Sequence, residues 1–164
     1  TTEIYTLSLH DALPIYASFA APGNMPEKIC AFCEKTGQGK PESDGTMIRC
    51  IYESLAMKYR FAIEQIEENT GKKFDVLHLL GGGTKDGFLC QMTADSLNMD
   101  VIAGPTEATA LGNIILQLIA LGDIKNVDEG REIIKSSEKL TTYKSENAGA
   151  FANDYNKFVK ILNK

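Results

Sequence analysis

The residues of this chain best suited to chemistry are Gly81-Gly82-Gly83-Thr84-Lys85-Asp86-Gly87, a glycine-rich run between a short apolar stretch and a helical pattern. Glycines at such a turn let backbone N–H groups approach a ligand closely, and the N-terminus of the following helix favours an anion. Two named phosphate-binding patterns fail letter by letter. The dinucleotide pattern G-x-G-x-x-G fits Gly81 and Gly83 but needs a glycine where Asp86 stands. It also wants an acid after the next strand, where Gly104-Pro105 is found. The P-loop pattern G-x-x-x-x-G-K-[ST] runs from Gly82 to Gly87, but Phe88 takes the place of its lysine. The run permits a nucleotide site, and tight strand-to-helix packing accounts for it equally well.

Cys30-Ala31-Phe32-Cys33 is the second candidate. A redox motif of this spacing wants a strand just before it, within a βαβ unit. Here Pro26-Glu27-Lys28-Ile29 precedes it and reads as the first turn of a helix. A zinc site wants a second close pair of ligands, whereas Cys50, Cys90, His10 and His78 stand singly. The pattern points to a short helix with small apolar thiols on its buried side, and to no metal site. Free thiols in a chain without a secretory leader pattern point to a reducing, cytoplasmic setting.

Around these residues the sequence predicts alternating elements. A short helix spans Pro26 to Glu34, and Asp44 or Thr46 caps a long helix that runs to about Asn69 and ends at Gly71. Its apolar stripe is Met47, Ile51, Leu55, Tyr59, Ala62 and Ile66. Phe74 to Leu80 reads as a buried parallel strand, followed by the glycine turn and a helix from about Asp86 to Leu97. Met99 to Ala103 reads as a second strand, broken by Gly104-Pro105. Thr106 caps a further helix to Gly122, a charged helix follows from Val127 to Ser137, and an amphipathic helix from Phe151 to Leu162 ends the chain. The order strand, turn, helix, strand, turn, helix makes an α/β unit. Two parallel strands make a poor sheet alone, so the sequence reads as the end of a larger domain.

Residues 1–19 do not share this regularity. Leu7 to Ile15 resembles a translated sequencing-adaptor read-through, so residues 1–19 are expected to be a non-native, disordered segment. The 164-residue chain has 17 basic and 22 acidic residues, a net charge of −5 and no clustered positive face. That excludes a nucleic-acid backbone binder. The longest apolar pattern, Ile114 to Leu121, is interrupted by Gln117 and falls short of the roughly 20 residues that span a bilayer, so no membrane partner is expected.

Leu79-Leu80-Gly81-Gly82-Gly83-Thr84-Lys85-Asp86 continues into Leu89, Gln91, Ala94-Asp95, Val101-Ile102-Ala103-Gly104-Pro105 and Glu107-Ala108-Thr109-Ala110-Leu111-Gly112-Asn113. With Arg49 to Ala56, Lys58-Tyr59-Arg60 and Val76-Leu77-His78, this run resembles the second signature region of the FGGY carbohydrate kinases, and within them the rhamnulokinases. The resemblance covers roughly residues 20 to 143. It implies the C-terminal part of an actin-like, ribonuclease H-like ATPase domain, helix-rich with few parallel strands. Residues 20–143 would be that part and residues 144–164 a C-terminal amphipathic helix. It also implies a complete enzyme that phosphorylates L-rhamnulose at O1 with ATP and Mg2+, its missing N-terminal domain carrying the sugar site. Another FGGY kinase, or a stand-alone nucleotide-binding or regulatory module, is the alternative.

The resemblance places Gly81, Gly82, Gly83 and Asp86 against ATP, with Gly82 at a family nucleotide contact. Asp86 takes the position of a usual asparagine, and an acid accepts hydrogen bonds without donating as an amide does. No residue here matches the family's catalytic aspartate. Gln91 and Asp95, one turn apart, are expected to satisfy helix-surface hydrogen bonds, and Glu107 and Thr109 to favour a helix dipole. Tyr52 and Tyr59 are expected at the edge of the core, with Arg49, Lys58 and Arg60 on a solvated face.

Overall fold

The computed structural model describes residues 3–6, 19, 22–147 and 149–162. Helix α1, Met25–Lys35, starts with Pro26 in its first turn, where a fixed φ and a missing N–H cost nothing. Cys33 is buried on this helix and Cys30 half-buried, both as free thiols. Burial first, and then the adjacent Cys50 thiol, push Cys33 up to about 11. It stays protonated at neutral pH, the opposite of what a reactive redox thiol requires.

Helix α2, Asp44–Thr70, is capped by Ser43 rather than by Asp44 or Thr46 themselves. The Thr46 N–H donates to Ser43 Oγ at 3.3 Å, and the Ser43 N–H donates to Thr46 Oγ1 at 3.0 Å, a reciprocal capping box. Gly71 closes the helix in the left-handed region at φ 67°. The inward stripe differs from the expected one in its second half. Leu55 and Tyr59 are buried, but Ala62 and Ile66 are exposed and Ile63 turns inward. The buried arc widens on one flank, through Ala56, Met57 and Ile63, because two partners lie there: the sheet layer and the C-terminal helix.

The sheet has four strands in the order β1-β2-β3-β4, where two were expected. The two expected strands, β2 (Val76–Leu79) and β3 (Asp100–Ala103), run parallel with Leu77 opposite Val101. Outside them lie β1 (Glu3–Thr6), parallel to β2, and β4 (Thr141–Tyr143), antiparallel to β3. Of the segment 1–19, expected to be non-native and disordered, Glu3–Thr6 stands as a strand; the rest, His10 included and Phe19 excepted, lies outside the described residues. Neither extra strand stands in the strand, turn, helix order that marks β2 and β3, although Ile4, Tyr5, Thr141, Thr142 and Tyr143 all favour extended backbone.

Leu77, Leu79, Val101 and Ala103 fill the buried face of the sheet, against Tyr59 and Ile63 of α2 and against Cys90 and Ala94 of helix α3, Gly87–Leu97. Beyond α2, helix α6 (Ala152–Leu162) joins a second cluster, in which Phe151 and Tyr155 meet Ala56, Met57 and Met92. Arg60 holds this corner together. Its Nε donates to Glu64 at 2.8 Å, its Nη1 to the Ser96 carbonyl at 3.3 Å, and its guanidinium lies 3.9 Å from the centre of the Tyr155 ring. The Tyr155 hydroxyl completes the group by donating to Glu64 at 2.5 Å. Arg60 is therefore a packing residue, not part of a solvated face, whereas Arg49 is exposed and pairs with Glu53.

Helix α4, Ala108–Leu121, follows Glu107, and no side chain caps it; Thr106, the expected cap, is engaged elsewhere. Gly122 ends it at φ 83°. Helix α5, Val127–Ser137, is capped by Asn126 and packs across α4 at one close point. A Cβ on Gly130 would stand 2.4 Å from Ile115 Cγ2. Among the described residues no helix is long and apolar enough to cross a membrane.

Ile115 is β-branched and stiff at χ1, so it cannot swing away from an added methyl group. Gly130→Ala is expected to cost about 1–3 kcal/mol by overpacking. Thermal unfolding of the 164-residue chain should show Tm lower by roughly 2–10 °C. An unchanged Tm would mean that α4 and α5 do not meet at this point.

Candidate functional site

Both turns of interest leave the carboxyl ends of neighbouring parallel strands. In open α/β sheets that edge, where chains splay to opposite sides, is where ligands settle. After β2 the chain passes Leu80 and turns at Gly81, with φ 89° and ψ −167°, a conformation closed to residues with a Cβ. One turn of 3₁₀ helix, Gly82–Lys85, then leads to Asp86 and α3. After β3 the chain turns at Gly104, φ 113°, and continues through a cis Gly104-Pro105 bond to α4.

The turns are stitched to each other. The Gly104 N–H donates to the Leu79 carbonyl at 2.9 Å, and the Gly81 N–H to the Pro105 carbonyl at 3.1 Å. Thr84 Oγ1 donates to the Gly81 carbonyl at 2.7 Å and lies 3.3 Å from Thr106 Oγ1. These bonds leave Gly82 standing outward. Gly82 is exposed, and nothing lies within 4 Å of where its Cβ would be. Gly81 and Gly83 are half-buried beside it.

Asp86 is placed differently from its neighbours. Its Oδ1 accepts the Leu89 N–H at 3.0 Å and so caps α3, while its Oδ2 accepts the hydroxyl of Tyr52 from α2. The Tyr52 hydrogen bond holds the Asp86 carboxyl below its ordinary range, and the same bond raises the Tyr52 phenol. The Tyr52 ring in turn lies 5.6 Å from Phe88, whose side chain is exposed beside the turn. Cys90 sits beneath, buried, its thiol raised to about 11 by burial and then by the Asp86 charge. Tyr59 is a core residue, whereas Tyr52 reaches the turn itself, a role its helical position did not reveal.

Gln91 and Asp95 do more than satisfy the helix surface. Asp95 Oδ1 accepts the N–H groups of Glu146 at 2.8 Å and Asn147 at 3.0 Å. Gln91 donates to the Lys144 carbonyl at 2.7 Å. Together they hold the segment after β4 against α3. Glu107 and Thr109 are exposed near the start of α4.

Two clefts lie away from the glycine turn, one of about 300 Å³ along α1 beside Cys30 and Lys40, and one of about 230 Å³ between α2 and α6. No group of three His, Cys, Asp or Glu suited to a metal is found among the described residues.

Residues 9–121 match the model of the FGGY family of carbohydrate kinases, C-terminal domain. The chain belongs to that family. It is 43% identical over 125 residues to the rhamnulokinase of Oceanobacillus iheyensis, covering 76% of this chain and 27% of that protein. The rhamnulokinase of Bacteroides thetaiotaomicron is 38% identical over 133 residues, with 81% of this chain and 27% of that protein covered. That of Enterococcus faecalis is 40% identical over 145 residues, 87% of this chain and 29% of that protein. The chain thus spans less than a third of the length of these relatives. Among solved structures, the gluconate kinase of Lactobacillus acidophilus superposes with a TM-score of 0.51 at 20% identity, over 72% of this chain and 22% of that one. That likeness supports the actin-like, ribonuclease H-like fold.

The Tyr52 bond to Asp86 has a measurable consequence. A carboxyl held low in the folded state contributes stability that is complete above its ordinary range, and loses it as pH falls through the lowered value. In Tyr52→Phe the largest cause of the lowering is gone, so the Asp86 carboxyl should titrate higher and acid unfolding should begin at higher pH. NMR titration of the Asp86 side chain reads the first directly. An unmoved titration would show that the hydroxyl does not bond the carboxylate in solution.

Proposed function

We propose that these residues form the C-terminal part of an ATP-dependent sugar kinase, supplying one wall of its ATP site. The observation that carries the reading is Gly82, standing open at the carboxyl edge of two parallel strands on a turn braced from behind. A backbone free of side chain there lets a nucleotide lie flat against the peptide. Gly81 and Gly83 shape the turn, Thr84 and Thr106 brace it, and Asp86 sets the direction of α3.

L-rhamnulose is the substrate we assign, because the relatives that the chain matches are rhamnulokinases. The complete protein would transfer the γ-phosphoryl group of ATP to its O1 in the cytoplasm. Such transfer depends on positioning and on charge placed around the moving phosphoryl group. This chain contributes nucleotide position. Mg2+ would arrive with the triphosphate, and the base that orients the sugar hydroxyl would come from the remaining two-thirds of the polypeptide. With its carboxyl engaged by Tyr52 and Leu89, Asp86 acts through the shape of the turn rather than as a free acid.

Gly82→Val in the complete kinase is expected to weaken ATP binding by tenfold or more, about 1.4 kcal/mol, because the new side chain fills the open space. Calorimetric titration with a non-hydrolysable ATP analogue measures it; unchanged affinity would remove Gly82 from the site. The 164-residue chain by itself is expected to show no turnover in a coupled assay with ATP, Mg2+ and L-rhamnulose. Turnover there would mean that the chain carries its own base and sugar site.

A further inference from the structure

Gly87, the last glycine of the run, has a role that the turn by itself does not explain. It is the first residue of α3, so its backbone is helical and open to any residue type. Glycine stands there for space. A Cβ on it would lie 2.9 Å from the Tyr143 hydroxyl oxygen and 3.7 Å from two carbons of the same ring. The room that Gly87 leaves open is thus taken by the tip of Tyr143, the last residue of β4.

Tyr143 is not free to step aside. Its backbone pairs with Val101 in the sheet. Its ring packs against the buried cluster that includes Leu77, Val101 and Cys90. The residues after it are tied to α3, Lys144 through Gln91, and Glu146 and Asn147 through Asp95. Gly87, Gln91 and Asp95 follow one another at steps of four, along one face of α3. That face is where the end of β4 and the segment after it are held. The residues just before β4 meet the second turn: Leu140 and the Lys139 carbonyl stand 3.1 and 3.4 Å from where a Cβ on Gly104 would be.

We propose that Tyr143 is a positioning residue of the nucleotide site: seated against Gly87, it sets where α3 begins and so where the glycine turn stands. The inference rests on the reading of that turn as one wall of an ATP site. The path is short. Gly87 follows Asp86, whose N–H donates to the Gly83 carbonyl at 3.1 Å and whose carboxylate caps α3. A shift in the first turn of α3 passes through these groups to Gly83 and Gly82. A nucleotide that lies on preset backbone binds less well when that backbone is displaced, even slightly. Phenylalanine in place of Tyr143 would remove the oxygen at 2.9 Å and keep ring carbons at 3.7 Å, an ordinary contact for a Cβ at position 87. The two positions are therefore complementary in size.

The experiment uses the full polypeptide read from the source gene, with Gly87→Ala, Tyr143→Phe and the two combined. In calorimetric titration with a non-hydrolysable ATP analogue, Gly87→Ala should bind roughly fivefold or more weakly, and the double variant should return to within about twofold of the parent, the non-additivity of groups in contact. Tyr143→Phe alone leaves a gap, so hydrogen exchange over residues 82–90 should quicken. In turnover, Gly87→Ala should raise KM for ATP and leave KM for L-rhamnulose unchanged. Parent-like binding by Gly87→Ala, a double variant no tighter than Gly87→Ala, unchanged exchange in Tyr143→Phe, or both KM values rising together overturns the proposal. If Gly87→Ala does not fold, the double variant decides: parent-like affinity upholds the proposal and weakened affinity overturns it. Gly82→Val separates this inference from the reading beneath it. Weak binding there with parent-like Gly87→Ala removes the inference alone, and parent-like binding by Gly82→Val removes the reading.

Discussion

Two backbone hydrogen bonds between the ends of β2 and β3 govern the geometry of the glycine turn and of the turn beside it. Gly104 N–H to Leu79 and Gly81 N–H to Pro105 lock the two turns edge to edge, at the carboxyl ends of the two parallel strands. Backbone groups at such an edge would otherwise need water or a ligand to satisfy them. Because they satisfy each other, the turn keeps its shape without a ligand. The stitch depends on positive φ at Gly81 and Gly104, and Leu140 and the Lys139 carbonyl crowd Gly104 so closely that a Cβ would press on them.

Burial behind the stitch keeps it rigid. Leu77 and Val101 are wholly buried side by side, and α2 and α3 cover them with Tyr59, Ile63, Cys90 and Ala94. Asp86 links this layer to the turn by capping α3 and accepting from Tyr52 of α2. The same carboxyl that the family resemblance places at the nucleotide is thus spent on structure. Four residues earlier, Gly82 opens the same turn with free space where a side chain would stand.

Much of this was legible in the residues. Helices α1 to α6 follow periodicity and punctuation because each runs eleven residues or more, long enough for period and caps to register. Gly71 and Gly122 end their helices as glycines past an apolar run should. What escaped was short or tertiary. Strands β1 and β4 lie outside the strand, turn, helix order that marks β2 and β3, and their pairing comes from neighbours distant in sequence. Ala62 could not be told from Ile63 as the inward residue without knowing where the sheet layer would lie. The tie of Tyr52 to Asp86 spans thirty-four positions, and no local pattern encodes it. The glycine run declared a turn; its open side became visible only once the second turn was beside it.

Arg60 shows how few substitutions such a corner allows. One guanidinium engages Glu64 on its own helix, the Ser96 carbonyl near the end of α3, and the face of Tyr155 on α6. A flat, forked cation serves all three at once because its donors lie in a plane that stacks while its edges bond. Lysine would keep the charge but concentrate it at one point, so the three helices would compete for a single ammonium group. Guanidinium shape, rather than positive charge, is therefore what joins the C-terminal helix to the layer beneath the glycine turn.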